Sequence, residues 1–295
     1  MHAPWFPPPP EVVPEDRAKA PLLLRYEDVA QDGRVRLEAL PPGLGETVWR
    51  GIVEHRADAT AMLRTGTIPI LTRLVVASTD DPIAVGNLAC DGRLQLAHSV
   101  DAAGAVDRVF FNAWVDLAAP RGRTNLPPPD RAGEVVSVGR VFAEHVFTRP
   151  FAPPESRKVR DLEGSVPPNR WTSRPLSAAA VLPAGAKALG EPWISDPFVF
   201  GLAHTDSNQH VNSLVYLSLF EEAVVCRLAE VGRSPVVLAR WIEIGYRKPC
   251  FAGDRVSMRF TLAEVDGGIG AFGVFVPTND PLTDKPHAWI GMGLS

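Results

Sequence analysis

The sequence of 295 residues predicts an α+β protein in which an antiparallel sheet wraps around a central helix, in two successive copies. Three observations lead to this prediction. One strongly apolar helix is expected at 213–231, four segments with alternating apolar residues follow it, and the same order of elements recurs faintly in the first half. Short connections between the four segments favour antiparallel pairing.

The expected helix runs from Ser213 to Val231. Asn212 or Ser213 can cap its start, and Gly232 stands where a glycine ends many helices. The first half of this helix is apolar on nearly every side, which is typical of a buried helix rather than a surface one. We therefore expect the sheet to cover it.

Strands are expected on both sides of this helix. One is predicted from Trp193 to Ala203, ahead of the helix. After the helix, apolar and polar residues alternate with a period of two, which is typical of half-buried strands. These later segments are 238–246, 256–262, 272–276 and 288–294.

The first half repeats this order with little sequence identity. A strand pair is expected over 22–39 and a helix from Gly45 to Arg64, followed by further strands. These strands are predicted at 68–77, 83–98, 106–118 and 133–148. The shared order of elements indicates that one fold is used twice.

Proline marks the predicted domain boundaries. The chain has 29 prolines, about twice the usual 5%. We expect a Pro-rich lead-in at 1–21, a first domain at 22–149, a Pro-rich linker at 150–192 and a second domain at 193–295.

Composition excludes several classes of protein. The net charge of −4 without any Lys/Arg block argues against a nucleic-acid partner, and no apolar run reaches the ~20 residues of a membrane span. The start of the chain lacks the pattern of a secretory signal. Cys90, Cys226 and Cys250 form no CxxC pair, which indicates a reducing compartment and no zinc site. We expect a cytoplasmic protein without metal or cofactor.

One polar run, His204 to Asn212, separates the predicted strand from the helix. Unpaired N–H groups and the positive dipole at a helix start favour a developing oxyanion. Asp206 could act there as base or nucleophile, with Asn208 and His210 orienting a water molecule or a carbonyl. The alternative, equally open from these residues alone, is a polar loop that merely caps the helix.

The run from Asp206 to Asn212, with Tyr216 and residues 220–223, resembles the signature of hotdog-fold acyl thioesterases. It is especially similar to the Asp-x-Asn-x-His-Val-Asn run of the acyl-carrier-protein thioesterases, within the 4-hydroxybenzoyl-CoA thioesterase-like superfamily. Residues 244–250 and the Gly253-Asp254 pair resemble the strand and turn that follow the helix in that superfamily.

This resemblance covers roughly residues 193–295 and implies a double hotdog, two antiparallel sheets each around a central helix. It implies a hydrolase of fatty acid metabolism that cleaves an acyl-CoA or acyl-carrier-protein thioester, with the acyl chain between two paired hotdogs. It implies no cofactor, and a homodimer is possible.

The resemblance also implies roles for individual residues. Asp206 would orient or deprotonate the attacking group, Asn208 would position the carbonyl or the water, and His210 would complete the polar network. Backbone N–H groups near Asn212 and Ser213 would form the oxyanion site. These residues make up the predicted centre.

Two assignments reach beyond the motif. Carrier-protein thioesterases place a functional Glu just before the cysteine that follows the Tyr-Arg strand, whereas this chain has Pro249 before Cys250. Glu221 or Glu222 is the nearest substitute, and we assign Glu222, unless catalysis uses fewer groups. Tyr216 is assigned to substrate binding, with a place in the core as the alternative.

The equivalent position in the first half, 38–42, contains neither Asn nor His, and only Glu38 can titrate there. We therefore expect one active centre per chain, in the second half. Two alternatives stay open: a hotdog dehydratase or acyl-transfer enzyme of lipid or polyketide assembly, and a non-catalytic acyl-binding protein. Pro249 in place of the carboxylate keeps the second alternative open.

Overall fold

The computed structural model describes residues 4–56, 65–79, 83–123 and 127–295. The chain forms two compact units. Phe6–Arg174 is called the first unit here, and Pro175–Ser295, which clusters with the first residues of the chain, is called the second unit. The boundary after Arg174 falls inside the predicted linker.

The described residues contain the following strands: β1 (Arg17–Leu23), β2 (Ile68–Ser78), β3 (Asn87–Val100), β4 (Val106–Pro120), β5 (Val135–Thr148), β6 (Asn169–Arg170), β7 (Lys187–Ala188), β8 (Trp193–Ile194), β9 (Phe198–Val199), β10 (Ala239–Tyr246), β11 (Arg255–Val265), β12 (Gly268–Pro277) and β13 (Ala288–Leu294). The α-helical segments are Pro42–Leu44 and Ser213–Glu230, and Gly45–Trp49 is a π-helical turn. The 3-10 segments are Pro14–Asp16, Tyr26–Asp28, Leu37–Ala39, Val53–His55, Pro154–Ser156, Leu176–Ala180 and Leu202–His204.

The first unit is built on an antiparallel sheet in the order β1-β3-β4-β5-β2, with the short β6 parallel to β3. The buried residues of the helical turns and the segment between them include Thr47, Val48 and Ile52. The Trp49 ring stacks on Phe111 of β4 at a centroid distance of 4.9 Å. Apolar and aromatic burial therefore holds the helical turns to the sheet.

A buried carboxylate joins the predicted linker to this sheet. Glu144 of β5 accepts hydrogen bonds from Trp171 Nε1 at 2.7 Å, from Ser173 Oγ at 2.9 Å and from Thr72 Oγ1 at 3.1 Å. Trp171 and Ser173 belong to the predicted linker, yet they are part of the first unit. A buried carboxylate needs such partners because its desolvation is costly.

The strand pair predicted over 22–39 is wrong. The strand β1 begins earlier and pairs with the distant β3, and a single bridge between Val29 and Val35 remains in the predicted segment. Pro21 lies in β1 opposite Ala89. Proline is tolerated at a sheet edge because it needs no ladder N–H there.

The helix predicted from Gly45 to Arg64 is not continuous in its described part, and residues 57–64 lie outside the described residues. A π-helical turn and a 3-10 turn take its place. At Gly51 a Cβ would lie 2.7 Å from the Ala18 Cβ and closer still to the Thr47 carbonyl oxygen. The chain passes β1 at a distance that only glycine permits.

The second unit has an antiparallel sheet in the order β10-β13-β12-β11, and β7, β8 and β9 pair in turn with the outer edge of β11. The four predicted later strands are confirmed. Tyr246 pairs with Ala288, and Val256 pairs with Pro277. The four strands therefore have a common end, called the site end below. It consists of the end of β10, the start of β11, the end of β12 and the start of β13.

The helix Ser213–Glu230, called the long helix below, begins at the predicted residue. Asn212 Oδ1 accepts the Leu214 N–H at 2.9 Å, and Gly232 follows the helix with φ +70°. Its buried residues are Tyr216, Leu217, Phe220, Ala223, Val224 and Leu228. These residues share one face, so the helix is buried along a stripe and not on every side.

The strand predicted from Trp193 to Ala203 is wrong in its extent. Only the dipeptides β8 and β9 pair with β11, and a 3-10 turn follows at Leu202–His204. Pro197 lies between the two dipeptides and has no N–H to continue the ladder. The chain therefore leaves the sheet edge early and turns toward the long helix.

Candidate active site

Residues 204–212, called the motif loop below, form a closed turn immediately before the long helix. Thr205 and Val211 form an antiparallel bridge across the loop. The Asn212 N–H donates to the His204 carbonyl oxygen at 2.8 Å. These contacts bring the two ends of the loop together and present the residues between them at its tip.

Asp206 organises the tip of the motif loop. Its Oδ1 accepts the Asn208 N–H at 2.9 Å, its N–H donates to the His210 carbonyl oxygen at 3.0 Å, and its carbonyl oxygen accepts the Gln209 N–H at 2.9 Å. Gln209 takes the left-handed conformation with φ +65°. The carboxylate is thus fixed in an Asx turn, and Oδ2 has no hydrogen bond within the described residues.

The other two predicted catalytic side chains lie at the surface of the same loop. Asn208 and His210 are exposed, and the His210 ring lies edge-on to Phe251 at 5.4 Å. The other histidine of the loop is different: His204 Nδ1 accepts the Gly201 N–H at 2.8 Å. His204 therefore has a structural partner, whereas the Asn208 amide and the His210 imidazole face solvent.

The start of the long helix offers fewer free donors than the sequence predicts. The Asn212 N–H is bound to His204, and Asn212 itself accepts the N–H groups of Leu214 and Val215 at 2.9 and 3.1 Å. The Ser213 N–H makes no hydrogen bond within the described residues. The Asn212 N–H is therefore already bound within the loop, which argues against its predicted role as oxyanion donor and favours the Ser213 N–H.

Two hydrogen bonds hold the motif loop and the helix start to the site end of the sheet. The Val211 N–H donates to the Cys250 carbonyl oxygen at 2.8 Å. The Tyr246 hydroxyl donates to the Ser213 carbonyl oxygen at 3.0 Å. The position of the predicted centre thus depends on the last residue of β10 and on the residues that follow it.

Those residues form a turn closed by Asp254. Its Oδ2 accepts the Phe251 N–H at 2.9 Å, and its carbonyl oxygen accepts the Phe200 N–H at 3.0 Å. Gly253, with φ +95°, donates its N–H to the Phe200 carbonyl oxygen at 2.7 Å. The left-handed conformation explains the glycine at this position.

Cys250 and Tyr216 are core residues. Cys250 is fully buried, and burial raises the pKa of its thiol to about 11, so the thiol is neutral and a poor nucleophile. Tyr216 is 3% exposed and its ring packs against Phe200, Tyr246 and Phe275. Burial also raises the pKa of the Tyr216 hydroxyl. This burial argues against the predicted contact with substrate and favours the structural alternative.

The structure does not bring Glu222 to the motif loop. Glu222 is exposed and lies nine residues after Ser213, which is ~13 Å along a helix rising ~1.5 Å per residue. The neighbouring Glu221 accepts the Ala239 N–H at 2.8 Å and so supports the start of β10. Neither carboxylate is placed where the resemblance has its Glu.

His287 at the site end is a residue that the sequence motifs do not reveal. Its carbonyl oxygen accepts the N–H groups of Arg247 and Lys248 at 2.9 and 3.1 Å, directly before the turn that holds the motif loop. The His287 side chain is 8% exposed. It belongs to no motif and follows Pro286 in a loop, so its position becomes evident only from the pairing of β10 with β13.

The described residues contain no cluster of three or more His, Cys, Asp or Glu side chains suited to a metal ion. Within the same residues, no helix is long and apolar enough to cross a membrane. The polar groups gathered at the motif loop are therefore a carboxylate, an amide, an imidazole and a backbone N–H. Such a set can orient water and transfer protons.

The fold is similar to that of three solved structures. A 12:0-ACP thioesterase from Umbellularia californica matches with a TM-score of 0.54 and 13% identity, over 97% of this chain and 99% of that chain. An acyl-ACP thioesterase from Bacteroides thetaiotaomicron matches with a TM-score of 0.52 and 12% identity, over 95% and 98%. A candidate oleoyl thioesterase from Lactobacillus plantarum matches with a TM-score of 0.58 and 13% identity, over 94% of both chains.

No protein-family model and no curated protein sequence matches the chain. Identities of 12–13% establish the fold alone. Near-complete coverage of both chains means that the similarity includes both units and not the second alone. The chain therefore has a hotdog thioesterase-like fold.

Proposed function

We propose that this protein is an acyl thioesterase that hydrolyses acyl-CoA or acyl-carrier-protein thioesters at the motif loop. The observation that carries the proposal is the tight turn that gathers Asp206, Asn208 and His210 at the start of a capped helix. Solved acyl-ACP thioesterases with the same fold support it. The proposed centre does not include Glu222, because it lies far from the motif loop, or Tyr216, because it is buried.

The chemistry requires one water molecule. Asp206 takes or orients a proton of the water, whose oxygen adds to the thioester carbonyl carbon. The Ser213 N–H and the helix dipole stabilise the oxyanion that forms. When the carbonyl reforms, the C–S bond breaks and its electron pair leaves with sulfur, which takes up the proton. The products are a carboxylic acid and a thiol.

Asn208 and His210 complete the centre. The exposed Asn208 amide can donate to the thioester carbonyl or accept from the water. The exposed His210 imidazole can do the same, because its ring contacts the edge of Phe251 and makes no hydrogen bond within the described residues. A positioned proton acceptor of this kind contributes typically ~10²–10⁴-fold to the rate.

A non-catalytic acyl-binding protein is the second candidate. Asp206 Oδ1 is already committed to an Asx turn, and Pro249 supplies no carboxylate. Both observations favour a loop that binds an acyl carrier without turnover. A dehydratase or acyl-transfer enzyme has no specific observation in its favour in this structure.

The test is thiol release from a panel of acyl-CoA and acyl-carrier-protein substrates by the wild type, Asp206→Asn and His210→Ala. Asn at position 206 keeps an oxygen to accept the Asn208 N–H, so the variant removes the charge and retains the turn. Release by the wild type, with a ~100-fold fall in Asp206→Asn, supports the thioesterase. Binding of acyl ligands without any release supports the binder. Conversion of 3-hydroxyacyl to enoyl thioester without release supports a dehydratase.

A further inference from the structure

The His287 imidazole is buried at the site end without a partner for one of its nitrogens. Its Nδ1 is inaccessible and makes no hydrogen bond within the described residues. Buried polar atoms are nearly always paired, and one that is not raises the energetic cost of burial. Protonation would make both ring nitrogens N–H donors, which adds to the cost of burying a ring whose Nδ1 has no hydrogen-bond partner within the described residues.

The charges around His287 also oppose its protonation. Lys248 and, more weakly, Arg247, which follow β10, both act against a positive charge on the ring, and Asp254 in the following turn and a backbone hydrogen bond of Lys248 partly offset them. Burial is the largest influence and Lys248 the next, and together they lower the pKa of His287 below its ordinary value. The ring is therefore neutral at pH 7.

A short chain of hydrogen bonds links His287 to the motif loop. Its carbonyl oxygen accepts the N–H groups of Arg247 and Lys248, and two residues further on the Cys250 carbonyl oxygen accepts the Val211 N–H. Val211 follows His210 directly. Residues 247–250 thus connect His287 to the residue next to a predicted catalytic group.

We propose that His287 is a positioning residue of the candidate site, and that its neutral imidazole keeps residues 247–254 in the arrangement that holds the motif loop. Acid charges the ring next to Lys248 and Arg247, loosens these residues and weakens the Val211–Cys250 hydrogen bond. The effect on activity rests on the proposed function, whereas the effect on the loop does not.

The direction of the pH dependence follows from linkage. Because the pKa of His287 is lowered in the folded state, the opened state binds more protons below the ordinary value of ~6.5. The arrangement is fully stable above that pH and loses stability as the pH falls toward the lowered pKa. Each unit of pH in this window changes the opening equilibrium by up to ~10-fold.

The experiment is amide hydrogen exchange of the Val211 N–H in the full-length protein at pH 7 and pH 5. In the wild type we expect its protection factor to fall ~10-fold at pH 5. In His287→Gln, which cannot be charged, the factor should change less than twofold. Lys248→Gln removes a like charge and should give an intermediate fall. His98→Gln is the matched control, since His98 lies in the first unit with its ring bonded to Pro167.

Thiol release over the same pH range gives the second measurement. The wild-type rate should fall at acid pH, and His287→Gln should lose this dependence while KM at pH 7 stays nearly constant. If His287→Gln does not fold, His287→Phe supplies a buried ring without charge for both measurements. A fall in Val211 protection that persists in either variant overturns the proposal, because a group other than His287 would then cause it.

The two proposals fail in different ways. Absence of thiol release by the wild type refutes the thioesterase alone, since Val211 exchange is measured without substrate. Normal turnover together with unchanged pH dependence in His287→Gln refutes the positioning role alone. Loss of the pH dependence from Val211 exchange in His287→Gln supports the positioning role whether or not the protein is an enzyme.

Discussion

The helical segments of the two units begin in different ways. In the first unit Leu37 and Leu40 are buried just before Pro42, and the helical turn has no side-chain cap. In the second unit Asn212 caps the long helix. The first segment is thus anchored by apolar burial and proline, and the second by hydrogen bonds.

The segment before the helix thus has a different role in each unit. In the first unit it packs into the core, and in the second unit we propose that it carries the chemistry. Backbone contacts hold the motif loop closed, so the side chains of Asn208 and His210 are exposed to solvent. At the corresponding place in the first unit, Glu38 forms an ion pair with Arg36 at 3.2 Å. The comparison supports our proposal that the candidate site lies in the second unit.

The largest expected effect comes from Asp206→Asn. We expect kcat for thioester hydrolysis to fall ~10²–10⁴-fold, because the variant keeps the Asx turn but removes the proton acceptor. Glu38→Gln in the first unit is the matched control and should change kcat less than twofold. Equal losses in both variants, measured by steady-state thiol release, would contradict the assignment of the chemistry to one unit.

Next in size is the loss of the buried carboxylate in the first unit. Glu144→Leu leaves the Trp171, Ser173 and Thr72 donors without their acceptor, which should cost ~3 kcal/mol in the free energy of unfolding. Urea denaturation measures this. The kcat of the folded protein should stay unchanged, and a large drop in kcat at intact stability would show that the first unit takes part in chemistry.

A smaller effect is expected at the helix cap. Asn212→Ala removes the acceptor of the Leu214 N–H and should lower the free energy of unfolding by ~1 kcal/mol. Asn208→Ala, a change from the same residue type at an exposed position four residues away, should leave stability within ~0.5 kcal/mol. Thermal denaturation of the two variants checks the contrast, and equal stability would mean that the cap contributes nothing.

The smallest effect is expected for Glu222→Gln. Glu222 is exposed and far along the helix from the motif loop, so kcat should change less than twofold and stability by less than ~0.5 kcal/mol. Steady-state kinetics at saturating substrate measures this. A ~100-fold loss would restore the sequence-based assignment of Glu222 to the centre.

Features that depend on neighbouring residues were predictable from the sequence. The start of the long helix follows from Asn212 and its end from Gly232, because caps act locally. The later strands follow from alternation over a few residues. In contrast, β1 pairs with a strand about seventy residues away, and its sequence, with Arg17 and Lys19 ahead of Pro21, gives only a weak local strand signal.

The candidate site likewise has a part that the sequence predicts and a part that depends on tertiary contacts. The resemblance located Asp206, Asn208 and His210 because they lie within five residues. It could not show that the Asn212 N–H is bound to His204 or that Tyr216 is buried, because these are tertiary contacts. His287 was missed for the same reason, since its place beside Lys248 depends on the pairing of two strands.

The central claim, one thioester site per chain in the second unit, is tested most directly by binding stoichiometry. Isothermal titration would use an analogue in which a thioether replaces the thioester, carried on CoA and on an acyl carrier protein. We predict one bound analogue per chain for at least one carrier, with binding weakened in Asn208→Ala and unchanged in Glu38→Gln. Two analogues per chain, or none with either carrier, would contradict the account.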